Sequence, residues 1–360
     1  MRPTILLLLI MATSGKGSDR ITSWPDLVQK PYEHLPTPDL GLRPLLRTPD
    51  GQRITTKAAW EKQRESLRTT WLKRLGAPPA KPEKLAIHDE IREVEANHLR
   101  QLATFASEGE DRIRAYLLLP KDLKEGEKRP AIVVFHPTTN DTLREPVGLG
   151  KRPEMALALQ LTRRGYITLS PECFIMKAAG ARSQAQVLAR RNPAWTGLGK
   201  MIFDAARCVD YLETLPQVDR SRIGCIGHSL GAKEVLYAMA FEPRYKAGVF
   251  NEGGIGLGMS NWTDPWYLTE AMKPYIPAME NHQVMALIAP RPFLVMGGDS
   301  ADGTASWAFV KEARSVYALL GASDRIGFYD HKAGHSFPQP ARQLAYEWLD
   351  HWLGPTGPRP

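Results

Sequence analysis

The stretch Ile223-Gly-Cys-Ile-Gly-His-Ser-Leu-Gly-Ala-Lys-Glu-Val-Leu236 constrains this chain more than any other. An apolar run meets Gly227-His-Ser-Leu-Gly231 and passes directly into residues that favour a helix. A strand that reverses sharply into a helix needs backbone dihedrals that a Cβ makes costly, and it needs space where turn and helix nearly touch. Two glycines bracketing one serine supply both. Ser229, at the tip, is then held on a strained turn with its hydroxyl projecting above a sheet edge. A pentapeptide of this kind takes its meaning from a strand before it and a helix after it, and both are legible here.

The flanking sequence fits a sheet of that type. Strand patterns fall at 131–135, 166–170, 222–227, 247–251, 292–296 and 325–329. Helical patterns fall at 154–164, 199–215, from 229 onward, 307–320 and 341–352, with an insertion between 251 and about 290. Such alternation predicts an α/β fold with a mostly parallel central sheet and helices on both faces. Upstream, 84–119 alternates like antiparallel edge strands. Residues 55–75 place Trp60, Leu67, Trp71 and Leu75 at helical spacing before Gly76 and Pro78-Pro79 end the helix, and 20–50 reads as a Pro- and Leu-rich arm. The length suits one large domain with decorations or two domains. The expected division is a signal segment at 1–15, a helical arm at 16–83 and a catalytic domain at 84–355.

Charge and cysteine content exclude several function classes. The formal charge of +8 comes from 47 basic and 39 acidic residues dispersed along the chain, with no basic run and no nucleic-acid motif, so no nucleic-acid partner is expected. Arg2 precedes the apolar run 5–12, followed by small and polar residues with Ala12 and Ser14 at spacing suited to cleavage. This predicts a secretory signal and a secreted or periplasmic protein. The run is too short to span a bilayer, which takes about 20 apolar residues, so stable membrane insertion is not expected. Of the three cysteines, Cys225 lies inside the strand before the turn and should be buried; Cys173 and Cys208 leave one bridge open. No metal or cofactor is implied, and no oligomeric state is specified.

A serine hydroxyl is a weak nucleophile at neutral pH and needs a base to take its proton and a third group to orient that base. On a sheet of this kind the acid and then the histidine follow the serine in sequence. His335, in Ala333-Gly-His-Ser-Phe337 between the last strand and last helix, is the expected base, with His331 its rival. His228 should pack beneath the turn. Asp302, in the loop Gly297-Gly-Asp-Ser-Ala-Asp-Gly303, is the favoured acid; Asp299 in the same loop suits a capping role, and Glu252 is the alternative acid. An oxyanion hole needs two N–H donors. Leu230 should supply one, and Thr138 the other, because Pro137 before it has no N–H; Thr139 is next in order. Lys233 lies one helical turn from Ser229 and is expected to meet substrate or to form an internal ion pair. Trp262 and Trp266 offer flat rings for stacking on sugars, or buried supports for their loop.

These residues resemble known families. Gly227-His-Ser-Leu-Gly231, the 297–303 loop and Gly334-His-Ser-Phe337 are similar to the dienelactone-hydrolase and acetyl xylan esterase-like group of α/β hydrolases, across roughly 55–353. Lys233, Phe241-Glu-Pro-Arg244, Glu252-Gly-Gly254 and Ala286-Leu-Ile-Ala-Pro-Arg-Pro292 are similar to the glucuronoyl esterases. That family's signature, Gly-Cys-Ser-Arg-x-Gly-Lys, carries an arginine for the oxyanion where this chain has Leu230. Dienelactone hydrolases use cysteine where this chain has Ser229. The resemblance implies an α/β-hydrolase fold with cap-like insertions and a serine carboxylic-ester hydrolase acting through an acyl-enzyme. It implies a small-molecule or polysaccharide ester as substrate, with acetylated carbohydrate ranked first. A glucuronoyl methyl ester, a peptide bond, and silent binding without catalysis follow as alternatives.

Overall fold

A computed structural model describes residues 24–29 and 39–354. Its strands are β1 (His88–Val94), β2 (His98–Ala106), β3 (Arg112–Pro120), β4 (Arg129–Phe135), β5 (Ile167–Pro171), β6 (Val218–His228), β7 (Tyr245–Asn251), β8 (Phe293–Gly297) and β9 (Ile326–Asp330). They form one sheet in the order β1-β2-β3-β5-β4-β6-β7-β8-β9. The first three are an antiparallel meander joined antiparallel to β5, and every pairing from β5 through β4 to β9 is parallel. Sequence dictates this division. β4 is buried at every position, as a parallel strand covered on both faces must be, and Ile132-Val-Val134 fills that role. β1 is exposed throughout, and its charged side chains discourage further strand addition at the edge.

The helices are α1 (Trp24–Val28), α2 (Lys57–Leu75), α3 (Leu157–Arg163), α4 (Gly180–Arg191), α5 (Gly197–Thr214), α6 (Leu230–Phe241), α7 (Asn281–Ile288), α8 (Trp307–Leu320) and α9 (Gln339–Leu353). One core lies between the sheet and α5, α6, α7 and α8, with α2 packed outside α7; the other lies under α3 and α9. Helices on both faces of a mixed, mostly parallel sheet make this the expected α/β fold. In α2, Thr56 caps the start by accepting from the Ala59 N–H at 3.2 Å. At its end Gly76 takes φ 83°, and a Cβ there would lie 1.8 Å from the Ala194 carbonyl oxygen.

The helices depart from the expected plan in four places: α1 lies in the stretch read as an arm, α4 has no expected counterpart, and the other two concern α7 and α3. The insertion after β7 contains α7, whose eight residues are all buried and so carry no polar face to announce a helix. The pattern at 154–164 becomes a short 3₁₀ turn before α3, because Pro153 starts a separate turn. Cys173, Cys208 and Cys225 are free and buried, so the bridge left open between the first two does not form. Among the described residues no helix is long and apolar enough to cross a membrane. The expected signal at 1–15 lies outside them.

Candidate active site

β6 delivers the chain to Ser229 at φ 58° and ψ −116°, a backbone state that a non-glycine residue holds only where its surroundings fix it. The two glycines make the turn sterically possible. A Cβ on Gly227 would lie 2.3 Å from the Gly231 backbone, and one on Gly231 would lie 2.1 Å from the Phe135 carbonyl oxygen. Real Cβ atoms do not approach that closely, so only glycine closes β6 against α6 and α6 against the end of β4.

The serine hydroxyl meets the histidine expected from sequence. His335 Nε2 lies 2.9 Å from Ser229 Oγ, and His335 Nδ1 lies 2.9 Å from Glu252 Oε2. With the carboxylate accepting from Nδ1–H, Nε2 is left to accept from the hydroxyl. The His335 side chain is 44 % exposed while that of Glu252 is 0 % exposed, so the pair runs from an open surface into the interior.

The carboxylate at His335 is therefore Glu252, the alternative, and not the favoured Asp302. Glu252 follows β7 at φ 55°. Its oxygens also accept from the Gly298, Ala301 and Asp302 N–H groups. Burial raises its pKa, but the bond from His335 and those three N–H groups outweigh burial and hold it below the ordinary glutamate value. Asp302 turns the other way. Its oxygens accept from the Gly254 and Ile255 N–H groups at 2.6 and 2.7 Å and from the Ser306 hydroxyl at 2.8 Å. Burial pushes its pKa up to about 6 against those bonds. Asp302 and Glu252 thus clasp each other's loops. The main chain of Asp302 donates to Glu252, and the side chain of Asp302 holds the two residues after Gly253.

A second layer secures the histidine loop. Asn251 Nδ2 donates to His228 Nδ1 at 2.8 Å and to the Ser336 carbonyl at 2.9 Å, while its Oδ1 lies 3.3 Å from His331 Nε2. His331 Nδ1 accepts from the Ala333 N–H at 3.2 Å, so this rival base is a brace for the loop. His228 packs beneath the turn as expected. Burial, reinforced by His335 beside it, lowers its pKa to about 3 and keeps it neutral. Sequence reasoning missed Asn251; only its place before Glu252 could have marked it.

Leu230 opens α6, and the first N–H groups of a helix have no intrahelical acceptor. Gly231 abuts Phe135 and His136, which brings this helix start against the loop holding Thr138. Thr138 is exposed, and His136 braces the loop beneath it: Nδ1 lies 2.7 Å from the Pro137 carbonyl and Nε2 accepts from the Cys173 N–H at 3.1 Å.

The expected substrate contacts fare differently. Lys233 is only 4 % exposed, and its Nζ donates to the Gly253 carbonyl at 2.6 Å and to the Ser260 hydroxyl at 2.8 Å. It ties α6 to the insertion rather than facing a cleft. Trp262 is fully buried, with Nε1 donating to the Gly254 carbonyl at 2.6 Å, so it is a support and offers no face for stacking. Trp266 is half-buried against the core. Among the described residues, no group of His, Cys, Asp or Glu is arranged to hold a metal.

Comparison with known proteins agrees with this architecture. The profile of the dienelactone hydrolase family matches residues 113–348. A 4-O-methyl-glucuronoyl methylesterase of Sodiomyces alcalophilus is 28 % identical over 152 residues, covering 34 % of this chain and 31 % of that protein. A protein of the same name from Wolfiporia cocos is 25 % identical over 189 residues, covering 42 % and 45 %. The chain thus spans less than half the length of these two curated relatives. Among solved structures, a glucuronoyl esterase from Solibacter usitatus superposes with a TM-score of 0.73 at 18 % identity, covering 89 % of this chain and 99 % of that one. This last likeness is one of fold.

Proposed function

From the premise that the chain belongs to the dienelactone hydrolase family, we propose that it is a serine carboxylic-ester hydrolase that works through an acyl-enzyme on Ser229. The observation that carries this reading is the pair of 2.9 Å contacts linking Ser229, His335 and Glu252. His335 Nε2 takes the hydroxyl proton as Oγ attacks the ester carbonyl. Negative charge develops on the carbonyl oxygen, where the N–H groups of Leu230 and Thr138 stabilise it. His335 then gives its proton to the departing alkoxide, leaving the acyl group on Ser229. Water repeats the sequence: His335 takes its proton, the tetrahedral intermediate collapses, and the proton returns to Oγ. Glu252 keeps Nδ1 protonated and balances the imidazolium charge.

The substrate read from this site is a carbohydrate ester. Its openness supports that choice, because a histidine 44 % exposed leaves room for a polymer chain. An acetylated sugar ranks first, since Leu230 carries no cation and Lys233 is engaged internally. The glucuronoyl ester is the second reading, favoured by the relatives' names and by Lys233 standing at the signature position. Residues 1–15, read as a secretory signal, place the enzyme outside the cytoplasm under this proposal. The test is labelling with a fluorophosphonate, followed by turnover of acetylated xylo-oligosaccharide and methyl glucuronate. Ser229→Ala should abolish labelling and lower kcat about 10⁴-fold or more. Labelling or turnover that survives in the variant refutes the serine mechanism.

A further inference from the structure

A cavity of about 560 Å³ lies away from Ser229, between the arm at 43–51, one stripe of α2 and the segment 275–283. Its walls carry Arg43, Arg47 and Arg74 and, among the described residues, no carboxylate. Arg100, Arg129, Arg152, Arg207 and Arg244 each bind a carboxylate at 2.7–2.8 Å. None of the three cavity arginines makes an ion pair among the described residues. Arg47 is exposed and donates to the Gly51 carbonyl at 2.9 Å, which shapes the arm. Arg74 stacks on Tyr275, with its guanidinium carbon 3.4 Å from the centre of the ring.

The remaining wall chemistry narrows the class of ligand. Ser66 and Thr70 on α2 bring hydroxyl groups, and Leu67, Ala278 and Met279 bring apolar surface. Guanidinium groups bind carboxylates in paired hydrogen bonds, while hydroxyls and apolar side chains suit the polar edge and the C–H face of a sugar ring. A volume of about 560 Å³ accommodates one or two such rings. We infer that this cavity binds the free carboxylate of a uronic-acid unit in an acidic saccharide, at a site separate from Ser229. The inference rests on the carbohydrate-ester reading for its choice of saccharide, and the cavity then holds an acidic branch of the polymer whose ester is cleaved elsewhere.

The test uses the full chain carrying Ser229→Ala, so that binding is measured without turnover. Calorimetric titration compares a xylo-oligosaccharide bearing a free glucuronic acid, the same oligosaccharide without it, and inorganic phosphate. The acidic oligosaccharide should bind at least about tenfold more tightly than the neutral one, and more weakly as salt rises. Arg47→Ala combined with Arg74→Ala should remove that preference, and the exposed Arg43→Ala should weaken it with an unchanged melting temperature. Equal binding of acidic and neutral saccharides, or a preference that survives the double variant in folded protein, overturns the inference. Phosphate binding as tight as the acidic saccharide and competing with it also overturns it, by assigning a general anion site. Turnover of a small neutral ester by native protein separates the two readings. Absent turnover with intact acidic binding removes only the catalytic proposal, and normal turnover without acidic binding removes only this one.

Discussion

Replacing Glu252 by glutamine changes one atom of a fully buried group and tests the proposed relay at its least ambiguous point. The carboxylate accepts four donors: Gly298 and Asp302 N–H at Oε1, Ala301 N–H and His335 Nδ1 at Oε2. An amide has one oxygen to offer. If its nitrogen takes the place of Oε2, it donates to His335 Nδ1, the imidazole adopts the other tautomer, and Nε2 carries a proton toward Ser229. That histidine cannot accept the hydroxyl proton. If the nitrogen takes the place of Oε1 instead, it faces two buried N–H groups, each unpaired donor costing about 1–3 kcal/mol. The first arrangement is therefore preferred, with the Ala301 N–H left unpaired, and the imidazolium loses its counter-charge in either case. A loss of about 10⁴ in kcat follows, equivalent to about 5.5 kcal/mol of transition-state stabilisation. The assay is kcat and kcat/KM on a soluble acetyl ester, with the melting temperature measured alongside. Asp302→Asn is the control. It should lower the melting temperature by breaking the clasp on Gly254 and Ile255, with kcat falling less than about 100-fold. A loss under tenfold in Glu252→Gln, or a larger loss in folded Asp302→Asn, refutes the assignment.

Four further substitutions separate roles that sequence alone leaves merged. His335→Ala should lower kcat about 10⁴-fold with little change in stability, whereas His331→Ala should mainly lower the melting temperature and cost tenfold or less in kcat; the reverse ranking would make His331 the base. Gly231→Ala places a Cβ 2.1 Å from the Phe135 carbonyl oxygen, so soluble yield and melting temperature should both fall sharply, and a variant as stable as the parent would contradict the described turn. Lys233→Met reads out a buried cation. Burial lowers the lysine pKa from 10.5 to about 8 against the pull of the Asp302 and Asp264 carboxylates, a cost of about 3 kcal/mol for the charged form. The native state binds fewer protons than the unfolded chain between those values, so native stability relative to the variant should rise as pH goes from about 8 to 10.5. Chemical denaturation of both proteins at pH 7 and 10 measures it, and a difference that falls or stays level contradicts the burial of a charged lysine.

The sequence was most readable where a backbone requirement is local. Gly227 and Gly231 mark the turn because a Cβ at either would collide with backbone, and the Ile223–Ile226 run before them leaves little choice but a buried strand. His335 was readable because its loop links the last strand to the last helix, a place fixed by chain order. The acid was not. Asp302 and Glu252 both end up beside strand termini at the same sheet edge, and only side-chain direction distinguishes them. Trp262 and Lys233 misled for a related reason, since aromatic and cationic residues near a site read alike whether they face the ligand or hold the wall behind it. α7 went unseen because a helix buried all round has no polar face to set its period.

The clasp between Glu252 and Asp302 explains why two carboxylates stand within one site without dividing its work. β7 lies beside β6, so Glu252 leaves the sheet one strand away from Ser229, whereas Asp302 leaves after β8, one strand further. The loop carrying His335 must return from β9 across β8 to reach Ser229, and the Gly334 N–H bonds the Gly298 carbonyl at 2.6 Å on the way. A side chain on Gly298 would lie 2.1 Å from the Gly334 carbonyl oxygen and 2.5 Å from His331, so these loops touch backbone to backbone. At that separation His335 Nδ1 meets the carboxylate rising from β7, and the loop after β8 is left to supply N–H donors around it. Asp302 serves that loop by holding the chain after Glu252 in place. The two carboxylates consequently have opposite environments, one held below and one pushed above its ordinary pKa, and only the first remains ionised through mildly acidic conditions to balance an imidazolium.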